Sequence, residues 1–261
     1  MPNLELIKTL NRKYDKVSPF TSSLKNFSLN ESINFENIEF AVQDNIKSLG
    51  TNYINYFLRG QSTNVVLLFI DICNFSTRYS DLTSSEISDF FDDYYDIVIP
   101  IIYKFGGEID KIIGDGIICI FGEPFLNLPL NECIKKADMC SKEIIELTTD
   151  INMYSSKIAF HFGEIKYFIN KSGFYNEITV VGKPLTELFR LESISEDLRI
   201  NYFVDYNYLP NWNKRINEDS CFWVLEDIKQ IPSILKGVSY SYYQTNKYST
   251  KDFINRLKFN L

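Results

Sequence analysis

Two aspartates stand where apolar segments stop abruptly, and their chemistry is that of oxygen ligands for a divalent cation. Val65–Ile70 (VVLLFI) is a continuous apolar run, the pattern of a strand buried on both faces, and it ends at Asp71. Asp115 lies between Gly114 and Gly116, flanked by the strand-like runs Glu108–Ile113 and Ile117–Phe121. Asp-Gly between two such runs marks a hairpin. Carboxylates delivered by rigid elements to one sheet edge suit Mg²⁺ or Mn²⁺, hard cations that keep positions open for substrate phosphates. The segment that follows, Ile72-Cys73-Asn74-Phe75-Ser76, can offer backbone N–H groups to a phosphate at a helix start. An Asp in a turn is a turn former first, so the pair is an outline of a site and not yet a site.

Other reactive side chains are few. The single histidine, His161, lies in the apolar strand IAFHF and reads as a structural residue. Five cysteines (Cys73, Cys119, Cys133, Cys140, Cys221) contain no CxxC pair, and buried free thiols are expected instead of a disulfide or zinc site. The 261 residues carry 27 Lys plus Arg against 34 Asp plus Glu, for a net charge of −7 and a pI near 4.9. That balance removes the electrostatic footprint of a general nucleic-acid binder. An anionic small ligand then needs local cations or metal ions. An apolar share of 45%, with 21 Phe and 17 Tyr, excludes intrinsic disorder. The longest apolar runs, Val65–Ile70 and Ile97–Tyr103, fall well short of the roughly 18 residues that cross a bilayer. MPNLELIKTLNRKYDK has no continuous apolar core of the signal-peptide type, and a cytoplasmic protein without a membrane span is expected.

The elements that must position the aspartates follow from periodicity. Residues 1–60 read as a helical N-terminal segment, with Ile38, Val42, Ile46, Leu49, Tyr53 and Phe57 on one face. After Asp71, Thr83-Ser-Ser-Glu86 is a capping box opening a helix whose apolar face runs from Ile87 to Phe105, with a kink expected at Pro100. Gly106-Gly107 stops it. A second helix spans about Asn131–Leu147. Lys157–Phe162 and Ile165–Ile169 read as a hairpin around Gly163-Glu164. A third helix, Pro184–Ser193, has Pro in its first turn. Strands are expected near Arg199–Asp205, Cys221–Asp227 and Val238–Gln244. The order β-α-β-β-α-β with added strands predicts an α+β domain of ferredoxin-like type over residues 61–250, followed by a tail, 251–261.

Five stretches in this order carry a resemblance: LLFIDICNFS, FGGEIDKIIGDGIICIFGEP, HFGEIKYF, ITVVGKPLTELFRLES and the late ILKGV–YYQ segment. Together, from about Val65 to Gln244, they resemble the class III nucleotide cyclase domain. The resemblance implies a head-to-tail homodimer with composite active sites. Asp71 and Asp115, with the Ile72 carbonyl, would hold two Mn²⁺ or Mg²⁺ ions, next to the loop of Asn74, Phe75 and Ser76 whose backbone N–H groups are expected to meet the substrate phosphates. Arg190 matches the family's transition-state arginine, supplied by the other subunit, and Lys236 matches a triphosphate-contacting lysine. Lys111 matches the lysine that adenylate cyclases use on the base, with Thr179 as its partner. Those enzymes usually carry an Asn that orients the ribose where this chain has Thr186.

The pattern Tyr175, ten residues, Thr186, three residues, Arg190 looks like that of the Pycsar pyrimidine cyclases, bacterial anti-phage enzymes. The resemblance thus implies UTP or CTP as substrate, uridylate favoured, and a cyclic product read by a separate effector. Tyr175 could fill the space that a purine's second ring would take. Two alternatives stand beside this one: an adenylate cyclase that tolerates Thr186, and a degenerate homologue that binds nucleotide or a partner without turnover. The presence of both aspartates and Arg190 argues against the second.

Overall fold

The computed structural model describes Gln43 and residues 46–150, 154–169, 178–204 and 222–249. The readings of residues 1–42 (with Ile38 and Val42), Tyr175, Cys221 and the 251–261 tail lie outside the described residues. In chain order the elements are β1 (Thr63–Ile72), α1 (Ser84–Lys104), β2 (Glu108–Ile113), β3 (Gly116–Phe121), α2 (Leu130–Asp150), β4 (Ser156–Ile169), β5 (Ile178–Val181), α3 (Lys183–Glu192), β6 (Ile200–Val204), β7 (Phe222–Gln230) and β8 (Tyr242–Ser249). The sheet runs β2-β3-β1-β4-β6-β8-β7, with β5 added on the far end of β4. The first four strands stand in the order 2-3-1-4, as a ferredoxin-like core requires.

β1 is central because nothing in its apolar run tolerates water. Val66, Leu68, Ile70 and Ile72 pack into one core with α1 and α2, and Val65, Leu67 and Phe69 into a second beneath α3. At about 1.5–3 kcal/mol for each fully buried side chain, this run alone anchors the sheet. The capping box of α1 forms in both directions: Thr83 N donates to Glu86 Oε2 at 2.8 Å, and Glu86 N to Thr83 Oγ1 at 3.4 Å. Pro100 lies inside α1 without ending it. Cys73, Cys119, Cys133 and Cys140 are buried free thiols. Among the described residues no helix is long and apolar enough to cross a membrane.

Three expectations are corrected. Gly163-Glu164 is no turn: β4 is a single fourteen-residue strand, paired with β1 over its first ten residues from Ser156 to Ile165. Gly163 is needed for packing, since a Cβ there would come within 2.5 Å of Pro184 Cγ on α3. The helical face expected from Ile46 to Phe57 is broken at Gly50, whose φ of +102° no helix accommodates; a short turn, Thr51–Tyr53, passes instead into a π-helical turn, Ile54–Leu58. Lastly, β8 begins at Tyr242, not Val238. Ile231 N donates to Ser241 O at 2.9 Å and closes the loop before it, while Tyr240 stacks on Phe203 with ring centroids 4.6 Å apart.

Candidate active site

β1 and β4 lie antiparallel with Asp71 directly opposite Lys157. Ile70 faces Ile117 on β3, which sets Asp71 level with Gly116 and beside the turn carrying Asp115. That turn is the two-residue Gly114-Asp115 connection of the β2–β3 hairpin, with Gly114 in the left-handed region at φ +58°. From α1, Tyr95 donates its hydroxyl to Gly114 O at 2.5 Å, and the neighbouring Tyr94 hydroxyl meets Ser156 Oγ at 2.9 Å. One helix thus pins both the hairpin tip and the start of β4.

The charges at this edge are unevenly matched. Lys157 Nζ lies 3.2 Å from Asp71 Oδ2 and 2.8 Å from Glu192 Oε1, at the end of α3. Burial, reinforced by the Asp115 carboxylate, pushes Asp71 up to about 6 despite this lysine. Burial also raises Asp115, against the pull of a backbone N–H and Lys157. Lys157 is partly buried too, which opposes its charge, yet Glu192 and Asp71 hold its ammonium well above the ordinary lysine range. Three carboxylates share one ammonium, so the site is short of positive charge.

A divalent cation fits that deficit. Among the described residues no group of three or more His, Cys, Asp and Glu side chains is gathered so that it could hold a metal ion by itself. The donors that could hold it are the carboxylates of Asp71 and Asp115, an all-oxygen set. It suits Mg²⁺ or Mn²⁺, which complete their coordination with water and phosphate oxygens. The following loop is partly committed: Cys73 N donates to Ser155 O at 2.7 Å, Asn74 takes a left-handed φ of 54°, and its side-chain amide bonds Asp197. The backbone amides of Asn74, Phe75 and Ser76 have no partner among the described residues.

The other sequence-derived residues stand apart from the aspartates. Thr186 and Arg190, one turn apart on α3, are both exposed on the side opposite the buried Leu188 and Leu191. Arg190 makes no ion pair with Asp71 or Asp115. Lys111 is on β2, Thr179 on β5 opposite Phe168, and no hydrogen bond joins them within the chain. Lys236 is exposed in the loop before β8. His161 has the structural role expected of it, its Nε2 lying 3.2 Å from Glu187 Oε2. It faces a separate cleft of about 420 Å³, which Asn64 borders at the opposite end of β1 from Asp71. Sequence reading missed Lys157, Glu192 and Tyr95. Their contacts depend on strand register and on helix ends, and the order of residues carries neither.

Gly116 tests how tightly the hairpin is seated. A Cβ there would lie 2.3 Å from Phe69 Cε2, and Phe69 in turn packs edge-on against Phe189 of α3 at 5.6 Å. Gly116→Ala is expected to cost about 1–3 kcal/mol of stability in urea denaturation. An unchanged midpoint would show that the ring moves aside freely.

No protein-family model matches the chain. Over 74 residues it is 31% identical to the terminal-differentiation specific adenylate cyclase of Dictyostelium discoideum, a stretch that is 28% of this chain and 4% of that protein. The chain therefore spans far less than two thirds of this curated relative's length. Among solved structures it superposes on the guanylyl cyclase Cya2 with a TM-score of 0.56 at 20% identity, covering 72% of this chain and 93% of that one. The adenylyl cyclase CyaB from P. aeruginosa gives a TM-score of 0.54 at 20% identity over 74% and 97% of the two chains. The guanylate cyclase domain of RhGC from Catenaria anguillulae, in complex with GTP, gives 0.55 at 16% identity over 73% and 100%. The fold is that of class III nucleotide cyclase catalytic domains.

Proposed function

We propose that a chain with this fold, bearing Asp71 beside the turn of Asp115 and an exposed Arg190 with no ion pair among the described residues, is a nucleotide cyclase acting on a pyrimidine triphosphate. UTP is the favoured substrate and CTP the next. The observation that carries the reading is the placement of Asp71, at the end of β1, level with Gly116 and beside the β2–β3 turn that carries Asp115. In the reaction the ribose 3′-oxygen bonds to the α-phosphorus, the α–β phosphoanhydride bond breaks, pyrophosphate leaves, and the 3′-hydroxyl proton passes to solvent. Divalent ions held by Asp71, Asp115 and the Ile72 carbonyl would activate the attacking oxygen and offset charge on the departing one.

The remaining work belongs to side chains, and a second copy of the chain supplies part of it. Arg190, always charged and planar, suits the charge that develops on the α-phosphoryl oxygens. Thr186, one turn earlier on the same exposed face, would orient the ribose of the same nucleotide. Lys236 and the amides of Asn74, Phe75 and Ser76 would hold the triphosphate tail. Ile112, Ile113, Phe168, Val181 and Phe189 are exposed large apolar side chains. They lie on β2, the β4–β5 pair and α3, the elements that also carry Lys111, Thr179, Thr186 and Arg190. This distribution supports a homodimer in which that face covers the metal edge of the partner.

Base choice rests on Tyr175, Thr186, Lys111 and Thr179. Lys111 with Thr179 favours a second reading, an adenylate cyclase, and the local identity to an adenylate cyclase supports it. Incubating the protein separately with ATP, GTP, CTP and UTP plus Mn²⁺, and identifying products by mass spectrometry, decides between them. Cyclic UMP or cyclic CMP supports the pyrimidine reading; cyclic AMP replaces it. Tyr175→Ala is expected to shift preference toward purines by about tenfold or more, the range a changed pocket volume gives. Unchanged preference would remove Tyr175 from base selection. A role as a second-messenger source in anti-phage defence follows if the product is a cyclic pyrimidine nucleotide.

A further inference from the structure

Lys157 occupies a position that the proposed reaction does not assign. Its ammonium is shared between Asp71 Oδ2 at 3.2 Å and Glu192 Oε1 at 2.8 Å, and all three side chains are largely buried, with exposures of 19%, 15% and 20%. Asp71 and Lys157 are cross-strand neighbours on β1 and β4, so their separation is set by the sheet. Glu192 comes from a different element, the last residue of α3. The shorter of the two contacts is therefore the one made by the residue outside the sheet.

We propose that Lys157 is an internal cation competing with divalent metal for Asp71, and that Glu192 is a positioning residue that holds the ammonium back and so sets metal affinity. This rests on the reading of Asp71 as a metal ligand. A divalent ion arriving at Asp71 meets a like charge a few ångströms away, and like charges at that separation repel strongly in a partly buried site. With Glu192 in place, the ammonium has a second carboxylate to rest against when a metal takes Asp71. Without it, Asp71 is the one carboxylate among the described residues that Lys157 still touches. The two charges then oppose each other in effect: removing Lys157 should tighten metal binding, and neutralising Glu192 should weaken it. Two charges acting only through their separate fields would give the same opposite signs, so the discriminating quantity is whether the effect of Glu192 depends on Lys157.

Mn²⁺ binding to the full chain without nucleotide, followed by the loss of the free-ion paramagnetic resonance signal, tests this directly. Lys157→Gln is expected to bind Mn²⁺ roughly tenfold more tightly than the unaltered protein, and Glu192→Gln roughly tenfold more weakly, a pair interaction of ordinary size for partly buried charges. The double variant is decisive, because Glu192→Gln should then have little effect once Lys157 is gone. If Glu192→Gln weakens binding equally with or without Lys157, Glu192 acts through its own field and the proposal fails. It fails also if neither single variant changes affinity. Asp71→Asn separates this from the underlying reading: Mn²⁺ binding that survives it overturns the metal assignment itself. Binding lost there but unchanged in Lys157→Gln and Glu192→Gln overturns only the competition.

Discussion

Asp71→Asn is expected to lower turnover by about a thousandfold or more while making the metal-free protein more stable. The substitution keeps the shape of the side chain and removes the charge. Losing one ligand to the reacting centre costs several kcal/mol of transition-state stabilisation, and each 1.36 kcal/mol is about a factor of ten in rate. Stability moves the other way because the structure disfavours this carboxylate. Its proton is held up to about pH 6 in the folded chain, by burial and by Asp115, against a reference value of 3.8. Between those values the folded protein keeps a proton that the unfolded chain has released, so this group's contribution to stability falls as pH rises from 3.8 to about 6. The penalty is absent below that window and fully present above it. After allowance for solvent it amounts to about 1–3 kcal/mol. Urea denaturation in chelator across the window is expected to show the slope in the unaltered protein and its loss in Asp71→Asn. Retained turnover in the variant would remove the metal role of Asp71, and equal slopes would contradict the buried, repelled carboxylate.

The parts of this molecule that sequence makes legible are those governed by neighbours along the chain. The continuous apolar run before Asp71, the Thr83–Glu86 capping box and the Gly114-Asp115 turn each follow from local backbone and burial rules, and each forms. Local rules mislead where a residue's purpose lies across the fold. Gly163 looks like a turn residue and serves instead to let α3 approach β4, a need visible only once Pro184 is placed against it. Tyr240 looks like part of a strand and stacks on Phe203. The same limit applies to the site. Asp71 and Asp115 can be singled out because each ends or tips an element, whereas Lys157 is one lysine among many until strand register sets it opposite Asp71. Charge compensation is a property of the folded edge, and so it was the part that sequence reading missed.

An Asp71→Asn chain and an Arg190→Ala chain, each inactive alone, are expected to recover about a quarter of wild-type activity when combined in equal amounts and allowed to form mixed dimers. Within one chain the cation beside Asp71 is Lys157, and Arg190 is exposed on the outer side of α3 without an ion pair to either aspartate. If Arg190 works at all, a second chain is the natural place for its substrate. Alone, Arg190→Ala loses the group that meets developing charge, a loss of about 10²–10³ in turnover. In a mixed dimer one composite site collects both lesions and the other collects neither. Random pairing makes about half the dimers mixed, each with one intact site of two, which yields the expected quarter. Isolating mixed dimers through two different affinity tags raises the figure to about half per dimer and excludes residual exchange. An inactive mixture of stable dimers would mean that Arg190 and Asp71 of one and the same chain serve a site together, and activity in Arg190→Ala alone would remove the arginine from the chemistry. Recovery is the outcome that a composite site requires, and no arrangement confined to a single chain produces it.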